Sequence, residues 1–169
     1  MTHARVVLLM GVSGAGKTTV GRALADALGW AFEDADAYHD AASRAKMARG
    51  EGLTDADRGP WLDRLEALVR RRVADGPPTV LACSALREAY REKLAGPPGV
   101  AVAWLDVPRD VLARRLASRD GHYAGPDLLA SQFEALEPPD AVLRLDGTAP
   151  VGVLVDALRD RLAPAPGAG

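Results

Sequence analysis

The sequence is poor in cysteine and aromatic residues, and it contains no apolar run long enough to cross a membrane. Its one cysteine among 169 residues is Cys83, so no disulfide can form within the chain. Such cysteine usage fits a reducing compartment, and we expect a cytoplasmic protein. The apolar run at residues 6–10 is far too short to span a bilayer, so we expect neither a signal peptide nor a membrane anchor.

The chain also lacks an excess of either charge. It has 21 Lys+Arg against 23 Asp+Glu, a formal net charge of -2. This balance gives no electrostatic reason to expect nucleic acid or an anionic membrane as the main partner. The length suits one domain with a sizeable core. We predict a single domain over residues 1–162 and a flexible Pro/Gly-rich tail over residues 163–169.

Strand-like and helix-like segments alternate along the chain. The first, ARVVLLM at residues 4–10, is continuously apolar, as expected for a strand buried on both faces. The alternation predicts an α/β fold, with a parallel five-stranded sheet flanked by helices and ligands bound beyond the carboxyl ends of the strands. The predicted strands are 4–10, 30–32, 79–83, 100–107 and 142–146, and the predicted helices are 17–28, 37–49, 60–75, 85–94, 108–119, 128–136 and 150–161.

A glycine-rich loop follows the first predicted strand. The segment GVSGAGKT at residues 11–18 matches G-x-x-x-x-G-K-[ST] and leads into a predicted helix, which makes a chance match improbable. Its glycines let successive backbone N–H groups face an anion, and the helix adds its positive end. Lys17 can reach the β- and γ-phosphates, and Thr18 offers a hydroxyl to Mg²⁺. The predicted nucleotide-binding residues are Gly11, Val12, Ser13, Gly14, Ala15, Gly16, Lys17, Thr18 and Thr19.

Two aspartates, Asp34 and Asp36, come at the predicted carboxyl end of the second strand. Alone, a D-x-D is most often a turn or a helix cap. At the same sheet edge as the glycine-rich loop, one carboxylate can complement Thr18 at Mg²⁺ and the other can face an acceptor hydroxyl. Asp106, at the end of the fourth predicted strand, is interpreted as the N-cap of the next helix.

Cations near two predicted helix starts indicate the kind of acceptor. Arg58 lies just before the 60–75 helix, and Ser84 and Arg87 lie at the beginning of the 85–94 helix. Because guanidinium groups suit bidentate recognition of carboxylate, these residues predict an acidic small molecule that carries a hydroxyl group. An exposed surface ion pair remains the alternative for each arginine.

A third basic segment precedes a glycine-containing break. Arg115 and Arg119 lie four residues apart on one predicted helix face, and His122 follows. An arginine carried by a mobile segment over the phosphates would neutralise charge that develops during phosphoryl transfer. A solvated helix end, where arginines are favourable because of the helix dipole, is the alternative.

Several blocks, in this order and spacing, resemble the bacterial gluconate kinases (gluconokinases), which are P-loop small-molecule kinases related to shikimate kinase. The resemblance runs from about residue 6 to about residue 160. It is carried by GVSGAGKTT (11–19), F-x-D-x-D with a histidine three residues on (32–39), KMARGEGLTDADRGPWL (46–62), ACSALREAYR (82–91), RLASRDGHY (115–123) and LLASQFEALEPP (128–139).

The resemblance implies a three-layer P-loop kinase fold, ATP-dependent phosphorylation of D-gluconate at its 6-hydroxyl, a homodimer, and a short mobile lid near residues 119–126. It also implies roles for particular residues. Lys17, Asp36 and Arg119 would be catalytic, Thr18 and Asp34 would face Mg²⁺, and Arg115 and Arg119 would contact ATP. The gluconate-side residues would be Asp36, His39, Lys46, Arg58, Ser84, Arg87 and His122.

The chain departs from the family pattern at a few positions near the acceptor. Asp40 stands where the family commonly has proline, Ser43 where it has asparagine, and Gly52 where it has proline. Ser43 is shorter than asparagine and lacks its amide, so a contact with the acceptor could be lost there. A kinase for another small hydroxy acid, such as shikimate, and a nucleotide-dependent switch module are the alternatives.

Overall fold

Five parallel strands form the centre of the fold. A computed structural model describes residues 3–118 and 126–163. The strands are β1 (Val6–Met10), β2 (Ala31–Asp34), β3 (Thr79–Ala82), β4 (Val100–Asp106) and β5 (Leu143–Asp146). They pair in the order β2-β3-β1-β4-β5, and each pairing is parallel. The parallel five-stranded sheet predicted from the sequence is therefore confirmed.

Helices cover both faces of this sheet. Among the described residues they are α1 (Lys17–Leu28), α2 (Ala41–Ala48), α3 (Asp55–Ala74), α4 (Glu88–Ala95), α5 (Arg109–Ala117), α6 (Pro126–Ala135) and α7 (Val151–Leu162), with a one-turn 3-10 helix at Ala35–Tyr38. No helix within these described ranges is both long and apolar enough to cross a membrane. The expected lid and tail, 119–126 and 163–169, lie outside the described residues apart from Pro126 and Ala163.

The core consists of two apolar clusters, one on each face of the sheet. All five residues of β1 are buried, and they alternate between the two clusters. Val7 and Leu9 join the cluster that includes Leu24 of α1, whereas Val6 and Leu8 join the cluster that includes Leu65 of α3. Side chains that alternate between buried faces explain why β1 is continuously apolar. The central strand thereby fixes the position of the loop that follows it.

Helix α3 begins five residues earlier than the sequence pattern predicted. Thr54 is its N-cap, and Thr54 and Asp57 form a reciprocal capping box through side-chain and backbone hydrogen bonds. Pro60 therefore lies inside the helix rather than in its first turn. As a result Arg58 belongs to the beginning of α3 and does not precede the helix, as we had expected.

Two further local predictions need correction. The predicted helix at 37–49 is divided, because Asp40 caps α2 by accepting a hydrogen bond from the backbone N–H of Ser43 at 2.7 Å. Asp106 is not a helix cap: Pro108 occupies the N-cap position of α5. The Asp106 carboxylate instead accepts a hydrogen bond from Nε of Arg144 at 2.8 Å.

The contact between α1 and the sheet predicts a strict size limit at Gly21. A methyl group there would lie 2.7 Å from Cε2 of Phe32, so Gly21→Ala should lower the free energy of unfolding by about 1–3 kcal/mol through overpacking. Urea denaturation measures this loss. The control is Gly152→Ala in α7, where a methyl group meets nothing within 4 Å. Equal stability of the two variants would contradict the prediction.

Candidate active site

The glycine-rich loop joins the end of β1 to the beginning of α1. Gly14 and Gly16 have φ angles of 84° and 98°, a backbone conformation that glycine adopts without steric cost. Gly16 is also the N-cap residue of α1, so the positive end of that helix is directed to the loop. The backbone N–H of Gly11 donates to the carbonyl of Ser84 at 3.4 Å, which joins the loop to the segment after β3.

Lys17 folds its side chain over the loop. Its Nζ donates to the carbonyl oxygens of Gly11 and Val12, at 2.9 and 3.0 Å. Burial lowers the pKa of Lys17, while the nearby carboxylates of Asp36 and Asp34 act in the opposite direction. The ammonium group therefore lies within the loop that would surround the phosphates, close to both carboxylates.

Asp34 joins β2 to the glycine-rich loop through both of its carboxylate oxygens. Oδ2 accepts from the Thr18 hydroxyl at 3.4 Å, and Oδ1 accepts from the backbone N–H of Asp36 at 3.0 Å. The predicted metal pair is thus brought together. A hydroxyl and a carboxylate are hard oxygen donors, and Mg²⁺ binds to one or two such groups together with substrate phosphates, so the donor set fits this ion.

Asp36 lies in the 3-10 helix just beyond Asp34. Trp61 of α3 holds this turn, because its indole N–H donates to the carbonyl of Ala35 at 2.8 Å. Burial raises the pKa of the Asp36 carboxyl, and the negative charge of Asp34 adds to this effect, opposed by Lys17. A carboxylate whose proton affinity is raised in this way is suited to accept a proton from a hydroxyl group.

His39 packs beside the same turn. Its ring stacks on Trp61 with centroids 4.5 Å apart, and its Nδ1 is buried without a hydrogen-bond partner among the described residues. Burial lowers the pKa of His39, against the attraction of Asp36. The neutral ring therefore packs on Trp61 and still has a buried polar atom with which another group can hydrogen-bond.

The predicted acceptor-side residues lie on three elements that follow the strands. Lys46 of α2 forms an ion pair of 2.8 Å with Asp57, and Arg58 lies 3.8 Å from Asp55. Ser84 follows β3 and contacts the glycine-rich loop through its carbonyl, and Arg87 is the N-cap residue of α4. Ser84 and Arg87 therefore lie on the connection between β3 and α4, which begins at Glu88 and not at residue 85 as the sequence pattern predicted.

The side chain of Arg115 supports the glycine-rich loop by contacting backbone carbonyls of that loop. It donates to the carbonyls of Gly14 and Ala15, both at 3.4 Å, and to the carbonyl of Gly147 at 2.9 Å. These contacts join the loop to the segment between β5 and α7. Arg119 and His122, the other predicted residues of this region, lie outside the described residues.

Gln132 of α6 contacts the glycine-rich loop, a role that the sequence patterns did not predict. Its Oε1 accepts from the backbone N–H of Ser13 at 3.1 Å and lies 3.4 Å from the Ser13 hydroxyl. The residue belongs to the LLASQFEALEPP block, but the block alone gave it no role. The family block thus marked this segment, but the contact itself depends on how α6 packs against the loop.

The sheet, the glycine-rich loop and the paired aspartates define a P-loop kinase of the small-molecule type. A family model described as an AAA domain matches residues 6–139. A mouse protein named probable gluconokinase is 47% identical over 155 residues, which cover 80% of this chain and 84% of the mouse protein. The gluconokinase of Gluconobacter oxydans is 42% identical over 158 residues, with 91% and 89% coverage.

A solved structure agrees with these sequence matches. The crystal structure of a gluconokinase from Sinorhizobium meliloti superposes with a TM-score of 0.83 at 38% identity, covering 95% of this chain and 92% of that one. The chain belongs to the gluconokinase family. A shikimate kinase from Bacteroides thetaiotaomicron, at 20% identity and a TM-score of 0.67, shares the fold alone.

The raised pKa of Asp36 predicts how stability depends on pH. The folded chain binds this proton more tightly than the unfolded chain, so the free energy of unfolding falls as pH rises from about 3.8 through the folded pKa. Asp36→Asn removes the titration. Without Mg²⁺ and ATP, its thermal midpoint should exceed that of the wild type more at about pH 7.5 than at about pH 4.5.

Asp40→Asn is the matched control, because the pKa of Asp40 is shifted in the opposite direction. Hydrogen bonds from Ser43 lower the pKa of Asp40, so its carboxylate contributes stability above the ordinary pKa, and this contribution is lost as pH falls through the lowered value. Calorimetry at both pH values gives the comparison. A Tm of Asp36→Asn below that of the wild type at neutral pH would refute the interpretation.

The contact of Gln132 with Ser13 predicts an effect on nucleotide binding. Gln132→Glu keeps an acceptor oxygen but adds a negative charge beside the phosphate loop, so the Kd for ATP should rise at least about tenfold. Gln132→Met, which is similar in size and uncharged, should raise it less. Titration calorimetry measures both, and equal ATP affinity in all three proteins would show that the residue is not near the phosphates.

Proposed function

We propose that this chain phosphorylates D-gluconate at its 6-hydroxyl, using ATP as the phosphoryl donor and giving 6-phospho-D-gluconate and ADP. The observation that carries the proposal is the position of Asp36: its backbone N–H donates to Asp34, whose other carboxylate oxygen accepts from Thr18 of the glycine-rich loop. Membership of the gluconokinase family, with coverage of most of the chain, supports the same activity.

The backbone N–H groups of the loop and Lys17 bind and orient the ATP phosphates. Thr18 and Asp34 would hold Mg²⁺, which supplies charge neutralisation on the β- and γ-phosphate oxygens when bound. Asp36 accepts the proton of the 6-hydroxyl while that oxygen bonds to the γ-phosphorus. The bond from the γ-phosphorus to the bridging oxygen breaks, and ADP carries away the electron pair.

The acceptor would be recognised by cations and hydroxyls on the neighbouring elements. Arg58, Arg87 and Lys46 supply positive charge for the gluconate carboxylate, and guanidinium is the better match in geometry. His39 and Ser84 would hydrogen-bond to sugar hydroxyls. Arg119 and His122 are proposed to complete the site from the lid, with Arg119 opposite the transferring phosphoryl group.

We propose a homodimer, which the family resemblance supports, and a cytoplasmic location, which the single cysteine of the chain supports. Cys83 itself is buried, and burial raises the pKa of its thiol to about 12, so it is an unreactive core residue. Light scattering of the purified protein over a concentration series determines the oligomeric state.

The decisive experiment measures ADP release with Mg-ATP against D-gluconate, other sugar acids, shikimate and glucose. We expect turnover with D-gluconate, and a phosphate ester on C6 in the product by phosphorus and carbon NMR. Turnover with shikimate instead, or ATP binding without any acceptor-dependent turnover, would contradict the proposal and favour another hydroxy acid or a switch function.

Asp36→Asn tests the assignment of the proton acceptor. It should lower kcat about 10²–10⁴-fold while the Kd for ATP stays within about twofold, because the loop and Lys17 are unchanged. Asp40→Asn makes the same chemical change four residues away and retains a good helix cap. It should leave kcat close to that of the wild type.

A further inference from the structure

Arg91 of α4 is a buried arginine that forms its hydrogen bonds with backbone carbonyls. The residue is 7% exposed. Its Nη1 donates to the carbonyls of Ala85 and Leu86, at 2.8 and 2.9 Å, and its Nη2 donates to the carbonyl of Glu137 at 2.7 Å. Burial of a guanidinium group is costly unless its hydrogen bonds are satisfied. A buried arginine at this position therefore calls for an explanation.

The first of these carbonyls belongs to a strained residue. Ala85 has a φ angle of 44°, and among the described residues no other non-glycine residue has a positive φ. It is also buried. A side chain in this backbone region is unfavourable, and such strain persists where the surrounding contacts over-determine the conformation. The contacts of Arg91 are part of what holds Ala85 in this state.

Other hydrogen bonds attach the same loop to the segment that follows α6. The backbone N–H of Glu137 donates to the carbonyl of Leu86 at 2.8 Å, and the backbone N–H of Glu88 donates to Oε2 of Glu137 at 3.1 Å. Arg91 joins both segments, because one of its nitrogens faces each. Residues 84–87, which we call the acceptor loop, are thus joined to the segment that follows α6.

We propose that Arg91 is a positioning residue: it orders the loop that binds the acceptor and does not itself contact the acceptor. It holds the acceptor loop in its strained shape, and this shape sets where Ser84 and Arg87 meet a sugar acid. The proposal rests on the proposed function, since it takes Ser84 and Arg87 to be acceptor-side residues. A preorganised loop spares the ordering cost when the acceptor binds.

The number and the directions of these bonds require a planar fork. Arginine presents several N–H donors in fixed directions, whereas lysine has one ammonium group on a flexible stem. A lysine at this position could not reach the carbonyls of the acceptor loop and of Glu137 at the same time. Arg91→Lys therefore removes the bridge but retains the positive charge and the aliphatic stem.

The test measures steady-state kinetics of Arg91→Lys with each substrate varied. We expect KM for D-gluconate to rise about tenfold or more, while KM for ATP changes less than about twofold. Arg5→Lys is the matched control: Arg5 donates to the carbonyls of Arg72 and Gly76. These contacts lie at the amino ends of β1 and β3, away from the carboxyl ends where the site lies, so this control should lower stability without changing either KM.

An equal rise of both KM values, or lower stability with both KM values unchanged, would overturn the proposal. A double variant adds a second criterion. In Arg91→Lys, the further change Ala85→Gly relieves the strain, because glycine adopts positive φ freely. The KM for D-gluconate should then return part of the way to the wild-type value, and a failure to recover counts against the role of the strain.

A measurement on the wild-type protein does not depend on whether the variant folds. In the absence of substrates the amides of Glu88 and Glu137 should exchange slowly with solvent, because the loop is already fixed. Fast exchange at these amides would overturn the proposal. Absence of gluconate turnover by the wild type, in contrast, would refute the proposed function while slow exchange still showed a preformed loop.

Discussion

The carboxylate of Asp34 is the interaction on which the site depends. One of its oxygens meets the hydroxyl of Thr18, and the other caps the turn that carries Asp36. These two contacts join β2 at the edge of the sheet to the loop after the central strand, across the end of β3. The distance between the glycine-rich loop and Asp36 is therefore set by one side chain and by the pairing of β2 with β3.

Basic side chains hold the loops around this carboxylate by donating to backbone carbonyls. Lys17 donates within the glycine-rich loop, Arg115 donates to the same loop and to Gly147, and Arg91 donates to carbonyls of the segment after β3. Loop carbonyls have no partners from regular secondary structure, and each must be satisfied when it is buried. Cations that satisfy several carbonyls at once allow irregular segments to be rigid, which suits a site that must align two substrates.

The sequence was sufficient to predict the sheet and the approach of Asp34 to Thr18, because both depend on local patterns. Continuous apolar runs identify buried strands, and the glycine-rich loop with its flanking strand and helix identifies the phosphate site. The errors occurred where a local signal had competing meanings. Thr54 and Asp57 cap α3, which begins five residues before the proline that was taken as its start, and Asp106 pairs with Arg144 rather than with a helix end. Gln132 and Arg91 could not be assigned, since their contacts join segments that are far apart along the chain.

The strand order has a consequence for how the chain folds. Strand β1 is formed from the earliest part of the chain, yet it lies at the centre of the sheet, and both of its neighbours, β3 and β4, come much later. Long-range parallel pairing is slow, and unpaired apolar strands favour aggregation. During synthesis the apolar side chains of Val6–Met10 therefore remain without their full set of strand partners until residues 100–106 have left the ribosome. Placing the glycine-rich loop after the central strand therefore leaves an apolar segment open to aggregation during this interval.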